Sequence, residues 1–305
     1  MSWPRTPDEL RDLAGHLLEL VGGRREVAPR HYCFTPRDKD EPISGWSPWR
    51  GRAIQKDYEL KEGELDTFKE DRRFLLKPLN TDTVSLHLRG KERLGVYPID
   101  RNEQVKFLAA DFDDHDGTLN PKAVWNEVKN FWEICEGQEL SAHIERSKSG
   151  KGYHVWIFFD APVPAAKARA MGRYLMAESG AISEDEDFST FDRFFPSQSY
   201  LTGKGFGNLI GLPMCGEQNY EQGLNAWVDP ATGETIPDGT GYVLDILERG
   251  RVPATEVDVA LEDWGISELE SRSDVVEHRE RSSDEQLGTE KELDEVVNRC
   301  KFMQW

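Results

Sequence analysis

A chain of 305 residues is long enough for a sizeable core and for two domains, and 37% hydrophobic against 31% charged residues reads as a soluble globular protein. No stretch approaches a membrane span, the amino terminus lacks an apolar signal core, and Cys33, Cys135, Cys215 and Cys300 form no CxxC pair; this speaks against a membrane protein, a disulfide framework or a zinc ribbon, and a cytoplasmic protein is expected. The net charge of −19 argues against a broad electrostatic coating of nucleic acid, yet residues 256–299 hold fifteen acids against five Lys or Arg, a net of −10, so the rest is only mildly acidic and a local basic channel is allowed.

The first element is a well-marked helix. Thr6, Pro7 and Glu9 supply an N-cap, a proline at the first helical position and a capping-box partner, Gly22-Gly23 end it, and Leu10, Leu13, Leu17 and Leu20 or Val21 form its buried stripe. From Arg30 to Arg52 the chain mixes Pro, Gly, Trp and Arg. Trp46, Trp49, Arg50 and Arg52 suit stacking on and neutralising a single-stranded template; a loop pinned by two buried tryptophans accounts for the same residues. Asp57 to Asp82 is charged and helical in part, with Arg72, Arg73 and Lys77 on a basic face. Thr83 to Leu88 alternates Val84, Leu86 and Leu88 and reads as a strand. After a turn carrying Arg89, Lys91 and Arg93 as candidate backbone contacts, Leu94 to Ile99 reads as another.

VKFLAADFDDHD, Val105 to Asp116, is an apolar run that ends in a crowd of carboxylates, as a buried strand delivering acids to a site would. Strand side chains alternate, so Asp111 and Asp113 continue the face of Val105, Phe107 and Ala109. Carboxylates one pleat apart repel unless a cation lies between them, and such hard oxygen ligands suit Mg²⁺ or Mn²⁺; a solvated acidic turn is the plainer alternative. Pro121 to Cys135 is a predicted helix. Ser141 to Phe159 is a predicted hairpin whose turn, Ser147 to Gly152, offers hydroxyls, two lysines and close-approaching glycine backbone to a phosphate, with His154 just beyond it. The turn lacks the spacing of a Walker loop. Ala165 to Glu178 is a second helix with Ala166, Ala170, Met171 and Leu175 inward. Gly203 to Pro213 is glycine-dense but without dinucleotide-binding spacing, Val243 to Gly250 reads as a short helix, and the acidic stretch that follows reads as a linker with helical pieces.

The DFD of Asp111 to Asp113 on one strand and the SGKGYH of Ser149 to His154 entering another resemble motifs one and two of the archaeo-eukaryotic primase superfamily, a DxD or DxE followed by a small-residue turn and SxH or GxH. Phe191-Asp192 in STFDRFFPSQ matches that family's third motif, an apolar residue followed by a carboxylate. With the flanking HLRGKERLGVYPI, HVWIFF and GFGNLIGLP, the chain from about Leu86 to Pro213 is similar to primase-polymerases of bacterial conflict systems, CRISPR-linked operons and phage or plasmid replication proteins. The motif-three strand completes the order strand, helix, strand, strand, helix, strand of a ferredoxin-like or RRM-like unit. A sheet of that kind is expected to be open on one face, with Asp111, Asp113, His154 and Asp192 together on it.

The resemblance implies an α+β fold: an N-terminal α/β module over about residues 1–104, an RRM-like core over about 105–215, trailing strands and a helix to 255, and an acidic linker leading into a helical accessory region over 256–305. It implies a DNA primase or primer-extending DNA polymerase that transfers nucleotides from an NTP or dNTP on single-stranded DNA, with single-stranded template, primer-template and nucleotides as partners and no membrane. Asp111, Asp113 and Asp192 would hold two Mg²⁺ or Mn²⁺ ions. Ser149, Lys151 and His154 would grip the triphosphate, helped by Ser147, Lys148 and the backbone of Gly150 and Gly152, with Asn208 near the incoming nucleotide. The closing NRCKFMQW weakly resembles the opening of a helical accessory domain, with a helicase as a further downstream partner. The residues alone also admit a metal-dependent nuclease using Asp111, Glu145 and Lys148, though its ExxK departs from the usual ExK; a DxD glycosyltransferase, which gives no role to the SGKGYH turn; and a non-catalytic single-stranded nucleic-acid-binding module, against which the acids speak because they repel phosphate without metal.

Overall fold

The computed structural model describes residues 3–36, 41–52, 74–114, 121–180, 190–201 and 205–266. In chain order the elements are α1 (Pro7–Val21), β1 (Pro29–Phe34), β2 (Ile43–Pro48), β3 (Arg50–Arg52), β4 (Phe74–Leu76), α2 (Thr81–Leu88), β5 (Gly95–Val96), β6 (Gln104–Phe112), α3 (Pro121–Gly137), β7 (His143–Arg146), β8 (Tyr153–Pro164), α4 (Ala165–Glu178), β9 (Phe191–Phe195), β10 (Ile210–Gly211), α5 (Glu217–Glu221), β11 (Ala226–Val228), α6 (Gly239–Arg249), β12 (Arg251–Val252) and α7 (Ala254–Asp263).

The predicted βαββαβ unit is β6-α3-β7-β8-α4-β9. Its strands lie in the order β7-β8-β6-β9, all antiparallel, with β11 added beside β7 and β12 pairing β8 in parallel to complete a six-stranded sheet. The mixed α/β architecture with an antiparallel sheet is the expected one. The expectation of an open face is not met. Residues of both parities along β6 are apolar, and both faces are covered: Phe107 and Ala109 join Trp156, Phe158 and Trp227 in a core shared with α1, α2 and α6, while Leu108, Ala110 and Phe112 join Val155, Ile157 and Phe159 in a core shared with α3, α4 and α7. Burying each phenyl ring contributes on the order of 2–3 kcal/mol, so covering both faces outweighs leaving either wet. Among the described residues, a site is left at the end of the sheet where β6 runs out at Phe112.

The helices explain themselves locally. In α1 the Thr6 side chain accepts from Glu9 N while Glu9 reaches back to Thr6 N, and the leucine stripe is buried as expected. α2 corrects the strand expected at Thr83 to Leu88. Asn80 Oδ1 accepts from Thr83 N at 3.0 Å and Thr83 Oγ1 from Asn80 N at 3.0 Å, a reciprocal cap that starts a helix, and Val84 and Leu88 then share its buried face four residues apart. The strand expected over Leu94 to Ile99 shrinks to β5, which pairs with β10, with Leu94 just before it bridging Arg30.

α7 packs on α4 and β8, and the Trp264 ring stacks on Tyr174 at 4.1 Å, so the packed body extends into the start of the acidic stretch. Cys33, Cys135 and Cys215 are free thiols. No helix among the described residues is long and apolar enough to cross a membrane. Arg72, Arg73, Asp116, the Arg52 side chain, the loop from 181 to 189 and everything from 267, Cys300 and NRCKFMQW included, lie outside the described residues.

Candidate active site

The site begins with one row of residues across the sheet. Trp227 on β11 pairs with Glu145 on β7, Glu145 with His154 on β8, His154 with Asp111 on β6, and Asp111 with Arg193 on β9. Opposed residues share a face, so this row carries polar groups on the same side as the Phe107, Trp156 and Phe158 layer beneath it. Those rings form a stiff floor: Phe107 lies 5.0 Å from Trp156, which stacks on Phe158 at 5.6 Å and meets His154 edge-on at 6.0 Å.

His154 sits between two acids. Its Nε2 lies 3.5 Å from Asp111 Oδ1, and its Nδ1 lies 3.0 Å from Glu145 Oε2. A carboxylate only accepts, so Nδ1–H donates to Glu145. Burial alone would push the imidazole down, but the charge of Glu145, its hydrogen bond and the charge of Asp111 raise it to about 9, making it a cation at neutral pH.

A bulge brings in the third acid. Asp111 pairs with Arg193 and Phe112 with Phe191, leaving Asp192 as the extra residue between them. Bulges of this kind re-aim a side chain. Burial pushes the Asp111 carboxyl up, and after the opposing His154 charge, the charges of Asp192 and Asp113 push it further up. Asp192 is clasped by its neighbour Arg193, Nε to Oδ2 at 2.7 Å. Asp113 follows the end of β6, its N donating to Thr190 O at 2.8 Å.

The hairpin turn lies against Asp113. Gly152 leaves no room for a side chain: a Cβ there would stand 2.4 Å from Phe112 O and 3.0 Å from Asp113 Oδ1. The turn is closed by Ser147 N to Gly152 O at 2.9 Å and by the Ser147 and Ser149 hydroxyls at 2.9 Å from each other, with Gly150 at φ 74. Ser149 and Lys151 are exposed, whereas Lys148 Nζ is held by Asn219 Oδ1 at 2.7 Å.

The remaining expected contacts lie on other parts of the fold. Asn208 is exposed and donates to Ser197, on the segment between β9 and β10. Trp49, expected as a stacking surface for template, is buried under the cations of Arg30 at 5.3 Å and Lys77 at 4.7 Å, and so pins the N-terminal module instead. Trp46 is half-buried beneath Arg93 at 5.2 Å and beside His31, while Arg50 is exposed.

Donor chemistry at the site fits a hard divalent ion. Asp111, Asp113 and Asp192 offer only carboxylate oxygens, and the upward push that Asp192 and Asp113 give Asp111 is a repulsion that a cation relieves. Among the described residues no three His, Cys, Asp or Glu side chains are gathered as a ready-made metal site. Mg²⁺ is ordinarily held by one or two carboxylates completed by substrate phosphates and water, which is what an open set of this kind can do.

Over residues 16–251 the sequence matches the family described as TOTE conflict system, Archaeo-Eukaryotic Primase domain. The chain belongs to this family. Among solved structures, this primase domain is similar to the polymerase domain of Mycobacterium tuberculosis ligase D in complex with DNA, at 13% identity and a TM-score of 0.37 over 81% of this chain and 90% of that one. It is also similar to the AEP domain of the cyanophage S-2L primase-polymerase, at 18% identity and a TM-score of 0.29 over 78% of this chain and 97% of that one. No curated protein matches it.

Two residues of this primase domain's site gave weaker signals in the sequence. Glu145 stands out only as part of the nuclease alternative, although pairing Arg146 with Tyr153 across the turn already sets it opposite His154. Arg93 reads as a surface contact, yet its half-buried guanidinium comes close enough to act on His154 and on Glu145, and among the described residues it has no carboxylate at ion-pair distance.

Proposed function

We propose that this primase domain is a template-directed nucleotidyltransferase, a DNA primase or primer-extending polymerase that uses NTP or dNTP on single-stranded DNA. The observation that carries the reading is the junction of all three motifs at one end of the sheet: Asp111 opposite His154 across β6 and β8, and Asp192 turned toward Asp111 by the bulge in β9.

Asp111, Asp113 and Asp192 would hold two Mg²⁺ or Mn²⁺ ions. When bound, such ions lower the pKa of an attacking hydroxyl and neutralise charge on the transferring phosphate. The chain's own part is positioning and electrostatics, the main work of phosphoryl transfer. His154 presents a fixed cation at the phosphates. Ser147, Ser149, Lys151 and the glycine backbone of the turn donate to the same oxygens, as backbone nests do for anions. Arg93, stacked on Trp46, adds a second fixed positive charge, and the exposed Arg50 joins Trp46 toward the template.

The nuclease alternative is disfavoured by two placements. Glu145 has no exposed surface and spends its oxygens on buried donors, and Lys148 is tied to Asn219, so neither is set beside Asp111 as a metal ligand and a catalytic lysine.

The test is a gel assay of the purified chain with single-stranded DNA, Mg²⁺ or Mn²⁺ and labelled nucleotides, with and without a primer and with nucleotides withheld. Longer labelled products that need nucleotide and metal are expected. Shortened DNA in the nucleotide-free lanes would restore the nuclease, and no change in any lane would leave a binding module.

A further inference from the structure

Glu145 takes no part in the reaction just described. It has no exposed surface, so it touches neither nucleotide nor template. A buried carboxylate is costly unless it is paired and hydrogen-bonded, and removing its partner leaves a penalty of several kcal/mol. Such a group needs a reason to be there.

The surroundings satisfy it from three directions. Oε2 accepts from His154 Nδ1 at 3.0 Å and from Trp156 Nε1 at 2.9 Å, and Oε1 accepts from Asn225 Nδ2. Each donor is itself held. Trp156 is fully buried between Phe107 and Phe158. Asn225 sits at φ 54, a left-handed conformation that asparagine tolerates better than most residues. Its Oδ1 accepts from Cys215 N at 2.7 Å, its Nδ2 also donates to Leu212 O at 3.1 Å, and its backbone O accepts from Met214 N at 2.8 Å. Two anchored donors thus leave the carboxylate one orientation, and sheet register puts it directly opposite the histidine.

An imidazole has two nitrogens, and which one faces the cleft is set by the bond that the other makes. We infer that Glu145 is a positioning residue: braced by Asn225 and Trp156, it fixes the His154 ring with Nδ1–H turned into the sheet, so that Nε2 faces Asp111 and the cleft as the nitrogen that meets a nucleotide's phosphate. This rests on the proposed nucleotidyl transfer. Without the carboxylate the ring can turn over or present a lone pair to the phosphate, and the grip is lost although His154 is still there.

Glu145→Gln keeps the volume and removes the charge. Its imidazole nitrogen signals are compared by NMR with those of the wild type, His154 being assigned from His154→Gln, and nucleotide KM, primer-template KM and kcat are measured in parallel. The expected result is loss of the protected His154 Nδ1–H signal and a rise in nucleotide KM of about 10- to 100-fold, the usual effect of removing the partner that orients a working histidine, with primer-template KM unchanged. Trp156→Phe, which removes one donor and keeps an aromatic ring, is expected to shift both readouts the same way by less, and serves if Glu145→Gln does not fold. A folded variant with unchanged His154 signals, or with nucleotide and primer-template KM rising together, would overturn the inference. The NMR comparison needs no activity: if the wild type incorporates no nucleotide, a changed His154 ring in Glu145→Gln still supports the positioning role while the nucleotidyl-transfer reading falls.

Discussion

Replacing Asp111 and Asp113 together by asparagine is expected to lower nucleotide incorporation by about a thousandfold or more while leaving the protein at least as heat-stable as the wild type. The first half follows from chemistry: neutral amides make poor ligands for a hard divalent ion, and losing that charge at the transferring phosphate removes several kcal/mol of transition-state stabilisation, each 1.4 kcal/mol being about tenfold. The second half follows from the site's own electrostatics. Asp111 is pushed up by burial and, against the opposing charges of His154 and Arg193, by those of Asp192 and Asp113, so its own carboxylate strains the fold at neutral pH rather than supporting it. Scanning fluorimetry checks this directly: the wild type should gain melting temperature on addition of Mn²⁺, since a ligand that binds only the folded state stabilises it, and the double variant should start as high or higher and gain little. A variant that melts well below the wild type would mean that the acids are structural.

Acid is expected to destabilise the protein steeply between pH 6.5 and 4, through two buried histidines that take no part in that chemistry. His87 is completely buried. Its Nδ1 accepts from Leu94 N at 3.0 Å, so Nε2–H donates to Pro213 O at 3.0 Å, and burial, opposed by that bond and aided by the Arg93 charge, pushes it down to about 4. His143 is held between Tyr242 Oη at 2.9 Å and Gly250 O at 2.7 Å, and burial pushes it down to about 4 as well. A histidine with a depressed folded value is neutral in the native state and takes up its proton more readily when unfolded. Its contribution to stability is therefore full above about pH 6.5 and is lost as pH falls toward 4. Each is worth on the order of 3 kcal/mol, and the pair is comparable to the whole margin of an ordinary domain. Urea unfolding from pH 8 to pH 4 measures it. His87→Gln and His143→Gln should each flatten the acid limb, and an unchanged limb in both would show that carboxylates carry the acid sensitivity.

Much of the fold was legible because local signals agreed with packing. The Thr6–Glu9 cap, the α4 stretch between Pro164 and Ser179, and the hairpin around Gly150 each combine a stop signal with the right hydrophobic period. Where signals conflicted, period misled: Val84, Leu86 and Leu88 alternate like a strand, and only the Asn80–Thr83 cap decides for a helix. The covered sheet was also foreseeable in β6, whose two parities are equally apolar, but which helices cover it depends on contacts distant in sequence.

Of the site, motif residues on neighbouring strands could be aligned once the hairpin register was assumed. The bulge that turns Asp192 inward, the Asn225 brace on Glu145 and the approach of Arg93 could not. Each depends on tertiary placement across tens of residues rather than on any local pattern. Trp49 illustrates the converse: an aromatic among arginines looks the same in sequence whether it stacks on a base or, as here, lies buried under Arg30 and Lys77.

The proposed nucleotidyl-transfer site draws its acids from two separate strands, β6 and β9, and its histidine from β8, and Asp192 is its most exacting member because only the bulge brings it there. The decisive measurement is extension of a labelled primer on a single-stranded DNA template, with Mn²⁺ or Mg²⁺ and all four dNTPs, by the wild type and by Asp192→Asn of equal melting temperature. The expected result is extension by the wild type and a loss of about a hundredfold or more in the variant. Wild-type rates in Asp192→Asn, or no extension by the wild type, would contradict it.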